Sequence, residues 1–166
     1  MPSTRLVIAD DHRMFRQGLR ELIERKTDFV IVGEASTGIE ALEQANTLQP
    51  DIMLLDIQMP GLDGVAVARQ LAQTQPNIKL IILTMYRNDQ HVIEAIKAGV
   101  RGYLLKDADA EELIAVLERV RRGEAALDPA ITAGVFDEIR RQETSPPESE
   151  SLTPRERDIV QLLAEG

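Results

Sequence analysis

Five short runs rich in Ile, Val and Leu recur along the chain, at Leu6–Ala9, Phe29–Val32, Ile52–Leu55, Leu80–Leu83 and Tyr103–Leu105. Each is too short for a helix, and runs this apolar suit strands covered on both faces, as in a parallel sheet. Between them lie segments with helical period. Phe15, Leu19, Leu22 and Ile23 share one face, and so do Leu113, Ile114, Leu117 and Val120. Parallel strands need a crossover, which a helix supplies. The alternation, repeated five times over residues 1–122, specifies an α/β fold with a doubly wound, five-stranded parallel sheet.

Local signals place the helix ends. Thr37 with Glu40, and Asp109 with Glu112, each pair an N-cap acceptor with an acid three residues on. Asp63 before Gly64 is a weaker cap. Gly99 ends a helix that starts near Asn88, and Gly123 ends the fifth.

Composition narrows the function classes. The chain has 166 residues, 43% of them apolar, which suffices for a packed core. It has no cysteine, so disulfide scaffolds, thiolate zinc sites and cysteine nucleophiles are excluded. The longest apolar run, Leu113–Leu117, is too short to span a membrane or to serve as a signal peptide, so a cytoplasmic protein is expected. With 19 basic against 28 acidic residues the formal charge is −9, which opposes tight DNA binding by this chain alone.

After residue 122 the pattern changes. Asp128-Pro129 is an N-cap with proline at the first helical position, and Leu127, Ile131, Val135 and Ile139 share a face, predicting a helix over 129–141. Residues 143–151 hold only polar residues and prolines and read as a linker, so 123–152 is expected to connect two units. At 153–166, Thr153-Pro154-Arg155-Glu156 opens another helix, with Ile159, Val160, Leu162 and Leu163 on one face. A helix of that length cannot bury its own face, so it reads as the start of a second domain.

In open α/β sheets chemistry collects outside the carboxyl ends of the strands. The first strand ends in Asp10-Asp11, the third in Asp56, the fourth in Thr84, and Lys106 follows the fifth. Three converging carboxylates repel one another, and without a cation at least one should hold its proton to higher pH. An all-oxygen site suits Mg²⁺. A metal beside a carboxylate suits phosphoryl transfer, for which aspartate is a known nucleophile. Lys106 could neutralise a transferred phosphoryl group and Thr84 could donate a hydrogen bond to it.

The set Asp10-Asp11, Asp56-Ile57-Gln58-Met59-Pro60-Gly61-Leu62-Asp63-Gly64, Leu83-Thr84 and Gly102-Tyr103-Leu104-Leu105-Lys106-Asp107 resembles the receiver domain of bacterial two-component response regulators, over residues 4–122. Leu152-Thr153-Pro154-Arg155-Glu156 and the helix after it resemble the opening of a LuxR-type helix-turn-helix domain, which points to the NarL/LuxR subfamily, here cut short early in that domain. The resemblance implies a flavodoxin-like fold. It implies Asp56 as phospho-acceptor, with Asp10, Asp11, Asp56 and the backbone carbonyl of Gln58 around Mg²⁺ (Mn²⁺ being the alternative) and Asp10 acting largely through water. Lys106 and Thr84 would contact the phosphoryl group, and Tyr103 would follow Thr84 as an aromatic switch. Phosphate would come from a sensor histidine kinase or a small phosphodonor. The phosphorylated form would dimerise and, in the full-length protein but not this fragment, bind promoter DNA. Such a protein is regulatory, catalysing only its own phosphorylation and dephosphorylation.

Two other functions compete. A Mg²⁺-dependent aspartyl-phosphate phosphatase usually needs a second Asp two residues after the nucleophile, where this chain has Gln58. A non-phosphorylated interaction module of the same fold would have no use for Asp10, Asp11, Asp56, Thr84 and Lys106 together. His12 and His91 are expected at exposed helix starts and receive no catalytic role. Met85 stands where many receivers carry a small residue, an expected restriction on access to the site.

Overall fold

The computed structural model describes residues 3–85 and 89–127, together with 133, 137 and 140. Ala133, Asp137 and Arg140 are helical, within the span expected for a sixth helix. The rest of that span, the expected linker 143–151 and the helix expected from 153 lie outside the described residues.

In chain order the elements are β1 (Arg5–Ala9), α1 (Arg13–Lys26), β2 (Val30–Ala35), α2 (Gly38–Leu48), β3 (Ile52–Asp56), α3 (Gly64–Thr74), β4 (Lys79–Thr84), α4 (Asp89–Lys97), β5 (Gly102–Leu105), α5 (Ala110–Arg121) and β6 (Ala126–Leu127). The sheet is parallel throughout, in the order β2-β1-β3-β4-β5-β6. The five expected strands are present. A sixth, two residues long, pairs Gly102 with Ala126 and Tyr103 with Leu127. Leu127, expected on the face of the helix over 129–141, lies instead in this strand, whose register comes from β5 through bonds such as Ala126 N–H to Arg101 O.

Strand alternation divides the core into two layers. Val7, Ala9, Met53, Leu55, Leu80, Ile82 and Tyr103 face α2, α3 and α4 through Ala41, Ala45, Val67, Leu71 and Val92. Leu6, Ile8, Ile52, Leu54, Ile81, Leu83 and Leu104 face α1 and α5 through Leu19, Ile23, Leu113, Leu117 and Val120. Each fully buried Leu or Ile contributes about 2 kcal/mol relative to exposure. The sheet is therefore doubly wound, and the winding reverses between β1 and β3.

One strand is displaced from its expected place. The apolar run suggested Phe29–Val32, but β2 runs from Val30 to Ala35, through Gly33 and Glu34. Phe29 is buried just before the strand, while Val30 is 43% exposed. As an edge strand, β2 does not need the continuous apolar run of a central one, so its hydrophobicity understates its length.

The caps form as expected. Thr37 accepts from Glu40 N–H at 3.1 Å, Asp63 from Ala66 N–H at 2.8 Å and Asp109 from Glu112 N–H at 2.9 Å. The Glu40 carboxylate reaches back to Ser36 N–H at 3.0 Å, one residue beyond the usual reciprocal partner, Thr37. Gly99, at φ +88, takes the left-handed backbone that stops α4.

Candidate functional site at the carboxyl edge of the sheet

The reversal between β1 and β3 leaves a crevice at their carboxyl ends, and the acids lie there. Asp10 extends the β1 ladder by one bond, its N–H donating to Ala35 O at 2.9 Å. Its Oδ1 then accepts from His12 N–H at 2.7 Å, closing an Asx turn into α1. Asp56 repeats the device at the end of β3, where Oδ1 accepts from Gln58 N–H at 3.3 Å. Each acid thus spends one oxygen on its own backbone turn. The other oxygen of each meets Lys106: Nζ lies 2.7 Å from Asp10 Oδ2 and 3.2 Å from Asp56 Oδ2.

Three side chains from three strand ends therefore form one bridge, and all are buried, at 3–4% exposure. Lys106 is placed by Thr84, whose carbonyl accepts from Lys106 N–H at 2.7 Å. The ammonium also lies 4.5 Å from the centre of the Phe15 ring, within cation–π range. One buried ammonium serves two buried carboxylates, which leaves the cluster net negative. Burial, above all, raises Asp56 above the ordinary carboxylate range. The Lys106 charge opposes that rise, and the neighbouring Asp10 charge adds to it.

Asp11 and His12 form the rim. His12 Nδ1 lies 3.2 Å from Asp10 Oδ1 and 3.2 Å from Asp11 Oδ1. One ligand atom from each of Asp10, Asp11, His12 and Asp56 falls within 4.8 Å of the others.

Thr84 is buried at the end of β4, between the β3 and β5 ends that carry Asp56 and Lys106. By alternation it shares the face of Ile82, which pairs with Tyr103. Tyr103 is fully buried in the layer under α2–α4. Met85, next in the chain, is 63% exposed.

The loop after Asp56 is held by close backbone approach. Gly64 N–H donates to Ile57 O at 2.9 Å, and a Cβ on Gly64 would stand 2.2 Å from the Asp56 carbonyl oxygen. Only glycine lets α3 begin this close to the acid.

The structure brings Asp10, Asp11, Asp56 and Lys106 together and sets Thr84 between the two strand ends that carry Asp56 and Lys106. Two neighbours were missed. His12 directly follows the acid pair, a signal that could have found it. Phe15 counted only as part of the α1 core face, and its contact with Lys106 has no sequence signature.

The family model for the response regulator receiver domain matches residues 6–118. The nitrate/nitrite response regulator protein NarL of Escherichia coli (strain K12) is 38% identical over 166 residues, covering 99% of this chain and 76% of that relative. Among solved structures, a LuxR-family two-component response regulator from Aurantimonas sp. SI85-9A1 superposes with a TM-score of 0.77 at 31% identity, covering 82% of this chain and 98% of that one. The signal receiver domain of the putative response regulator NarL from Mycobacterium tuberculosis gives 0.72 at 31%, covering 75% and 100%. The fold and the acidic strand ends define a receiver. The chain belongs to the response regulator receiver domain family and is homologous to NarL/LuxR-family two-component transcriptional regulators.

Proposed function

We propose that Asp56 is the phospho-acceptor of this receiver, and that Asp10, Asp11 and Asp56, with the Gln58 backbone carbonyl, hold Mg²⁺ or Mn²⁺. The observation that carries the reading is the bridge of Asp10, Lys106 and Asp56, which concentrates buried negative charge where a cation and a phosphoryl group would both be received. The donors fit the ion: Asp56, which burial disfavours as an anion, and oxygen as the dominant ligand type. When bound, Mg²⁺ would neutralise charge on the incoming phosphoryl group.

In the transfer, an Asp56 carboxylate oxygen attacks phosphorus in line. The bond from phosphorus to the donor's histidine nitrogen, or to an acyl oxygen, breaks, and its electron pair leaves with the donor. Lys106 already touches Asp56 Oδ2 and needs only a small displacement to reach phosphoryl oxygens. Thr84 supplies a hydroxyl from the adjoining strand end.

The product carries about −1.5 to −2 charge and new acceptor oxygens. Drawing Thr84 inward changes the space on the face it shares with Tyr103, which makes Tyr103 the switch residue. One or two charge-assisted hydrogen bonds supply the few kcal/mol that such a population shift requires. The donor would be a sensor histidine kinase or a small phosphodonor, and the output a phosphorylation-dependent homodimer that binds promoter DNA through the full-length protein. The site catalyses only its own phosphorylation and dephosphorylation. Among the described residues no helix is long and apolar enough to cross a membrane, which accords with a cytoplasmic regulator.

The test is incubation with acetyl phosphate and Mg²⁺, read by intact mass. Wild type gains one phosphoryl group and Asp56→Asn gains none. A gain that survives Asp56→Asn, or no gain by wild type with acetyl phosphate or with a phosphorylated kinase, overturns the reading.

A further inference from the structure

We infer that His12 is a cation ligand of this site, which gives the receiver a nitrogen donor and a selectivity for divalent transition metals that a purely acidic strand-end site lacks. The inference rests on the proposed metal-binding role of the acids and extends it. His12 Nδ1 stands 3.2 Å from Asp10 Oδ1 and 3.2 Å from Asp11 Oδ1. Two ligands at right angles about a small divalent cation, with bonds of about 2.1 Å, are separated by about 3.0 Å. The imidazole nitrogen and both carboxylate oxygens therefore already have nearly the spacing of adjacent ligands. The four atoms of Asp10, Asp11, His12 and Asp56, all within 4.8 Å of one another, need only a slight contraction to share one ion.

The helix leaves the His12 imidazole to the acid pair, with Nδ1 in hydrogen-bond contact with Asp10 Oδ1. His12 occupies the N-cap position of α1, but its side chain makes no capping hydrogen bond, so the helix does not require the imidazole. The side chain is 65% exposed, so the ring faces the solvent from which an ion arrives. The same nitrogen has two uses. With a proton on Nδ1 it donates toward the two carboxylates. With that proton on Nε2 instead, it offers its lone pair to a cation.

Imidazole discriminates among cations. Mg²⁺ prefers oxygen and keeps its waters, whereas Mn²⁺, Co²⁺ and Zn²⁺ accept nitrogen with rising affinity across the first-row series. Mg²⁺ would be held by oxygen alone, and Co²⁺ by the same acids plus His12.

The chain contains only two histidines, which makes the test clean. Mg²⁺ and Co²⁺ are titrated calorimetrically into wild type, His12→Asn, His12→Gln and His91→Asn, and the Mn²⁺-loaded proteins are examined by pulsed EPR for a directly coordinated nitrogen. The expected result is a nitrogen coupling in wild type and His91→Asn that is absent from both His12 variants. Co²⁺ affinity should fall about tenfold or more in those variants, while Mg²⁺ affinity changes less than about twofold. A wild-type protein that binds Mn²⁺ without nitrogen coupling, or His12 variants that lose Mg²⁺ and Co²⁺ affinity equally, overturns the inference. So does a failure of wild type to bind any of these cations. Acetyl phosphate labelling in Mg²⁺ separates the two readings. Labelling of Asp56 without nitrogen coupling removes His12 alone, and absence of both removes the site.

Discussion

Two clusters of charge flank α1, and they solve opposite problems. On the β2 side, Glu34 sits between two guanidinium groups, with Arg16 Nε at 3.1 Å and Arg20 Nη1 at 2.6 Å, and Arg20 also reaches Glu24 at 3.0 Å. On the strand-end side, Asp10 and Asp56 share the one ammonium of Lys106. Burial acts to raise both Glu34 and Asp56. At Glu34 the hydrogen bonds from Arg20 and Arg16 outweigh it and hold the carboxyl below its ordinary range. At Asp56 burial wins over Lys106, and Asp10 adds to the rise. Two cations on Glu34, one of them shared with Glu24, make a fastening. Half a cation per acid makes a site that gains from a further positive charge. The same residue types thus serve folding in one place and chemistry in the other, and the cation-to-carboxylate ratio separates them.

The largest way to sharpen that contrast is Lys106→Met, which keeps the packing and removes the only ammonium in the bridge. Stranding two buried carboxylates should cost about 3–5 kcal/mol at neutral pH in urea unfolding without divalent ions. The cost should shrink as pH falls and Asp56 takes up its proton, and on addition of Mg²⁺. An unchanged midpoint would mean that the acids are hydrated rather than desolvated.

Next is Gly64→Ala. With the Asp56 carbonyl 2.2 Å from the added Cβ, backbone must move. A stability loss of about 1–3 kcal/mol is expected, accompanied by slower acetyl phosphate labelling because Asp56 moves with its own carbonyl. Ordinary labelling by a destabilised variant would separate the loop from the chemistry.

Glu34→Gln should cost about 1 kcal/mol at neutral pH, a figure reduced for solvent screening because Arg20 is 42% exposed. Glu34 is held low, so its stabilisation is complete above the ordinary value of 4.5 and is lost as pH falls through the folded value. The gap between wild type and variant should therefore close in acid. A gap that is constant with pH would break the comparison from the folding side.

The smallest effect is the most direct in sign. Asp56 is raised, so in the absence of divalent ions its charge removes stability as pH climbs from the ordinary value of 3.8 through the folded value. Asp56→Asn should be more stable than wild type at pH 7, by about 0.5 kcal/mol once the lost Lys106 contact is counted, and Mg²⁺ should reverse the order. Thermal melts with and without Mg²⁺ decide it: a less stable Asp56→Asn in the metal-free buffer would place Asp56 with Glu34 as a fastening.

Much of this was legible from residues alone. The apolar runs of the five strands, the caps at Thr37, Asp63 and Asp109, and the stop at Gly99 depend on neighbours close in the chain. Such rules are written locally, so the chain determines them before it folds. The acids at the strand ends followed from the alternation of strands and helices and the topology it imposes. Tertiary structure decided the contacts themselves: the direct bridge between Lys106 and Asp56, whose convergence the strand ends had implied, the Phe15 ring beneath that ammonium, and β6 borrowing its register from β5. The converging strand ends already implied that one carboxyl would be raised; the fold decided that it is Asp56, because desolvation belongs to the packed neighbourhood and not to the side chain. Aspartates at the strand ends, one of them holding its proton to higher pH, were determined by the sequence; that this acid is Asp56, with His12 spaced for an ion beside the pair, required the fold.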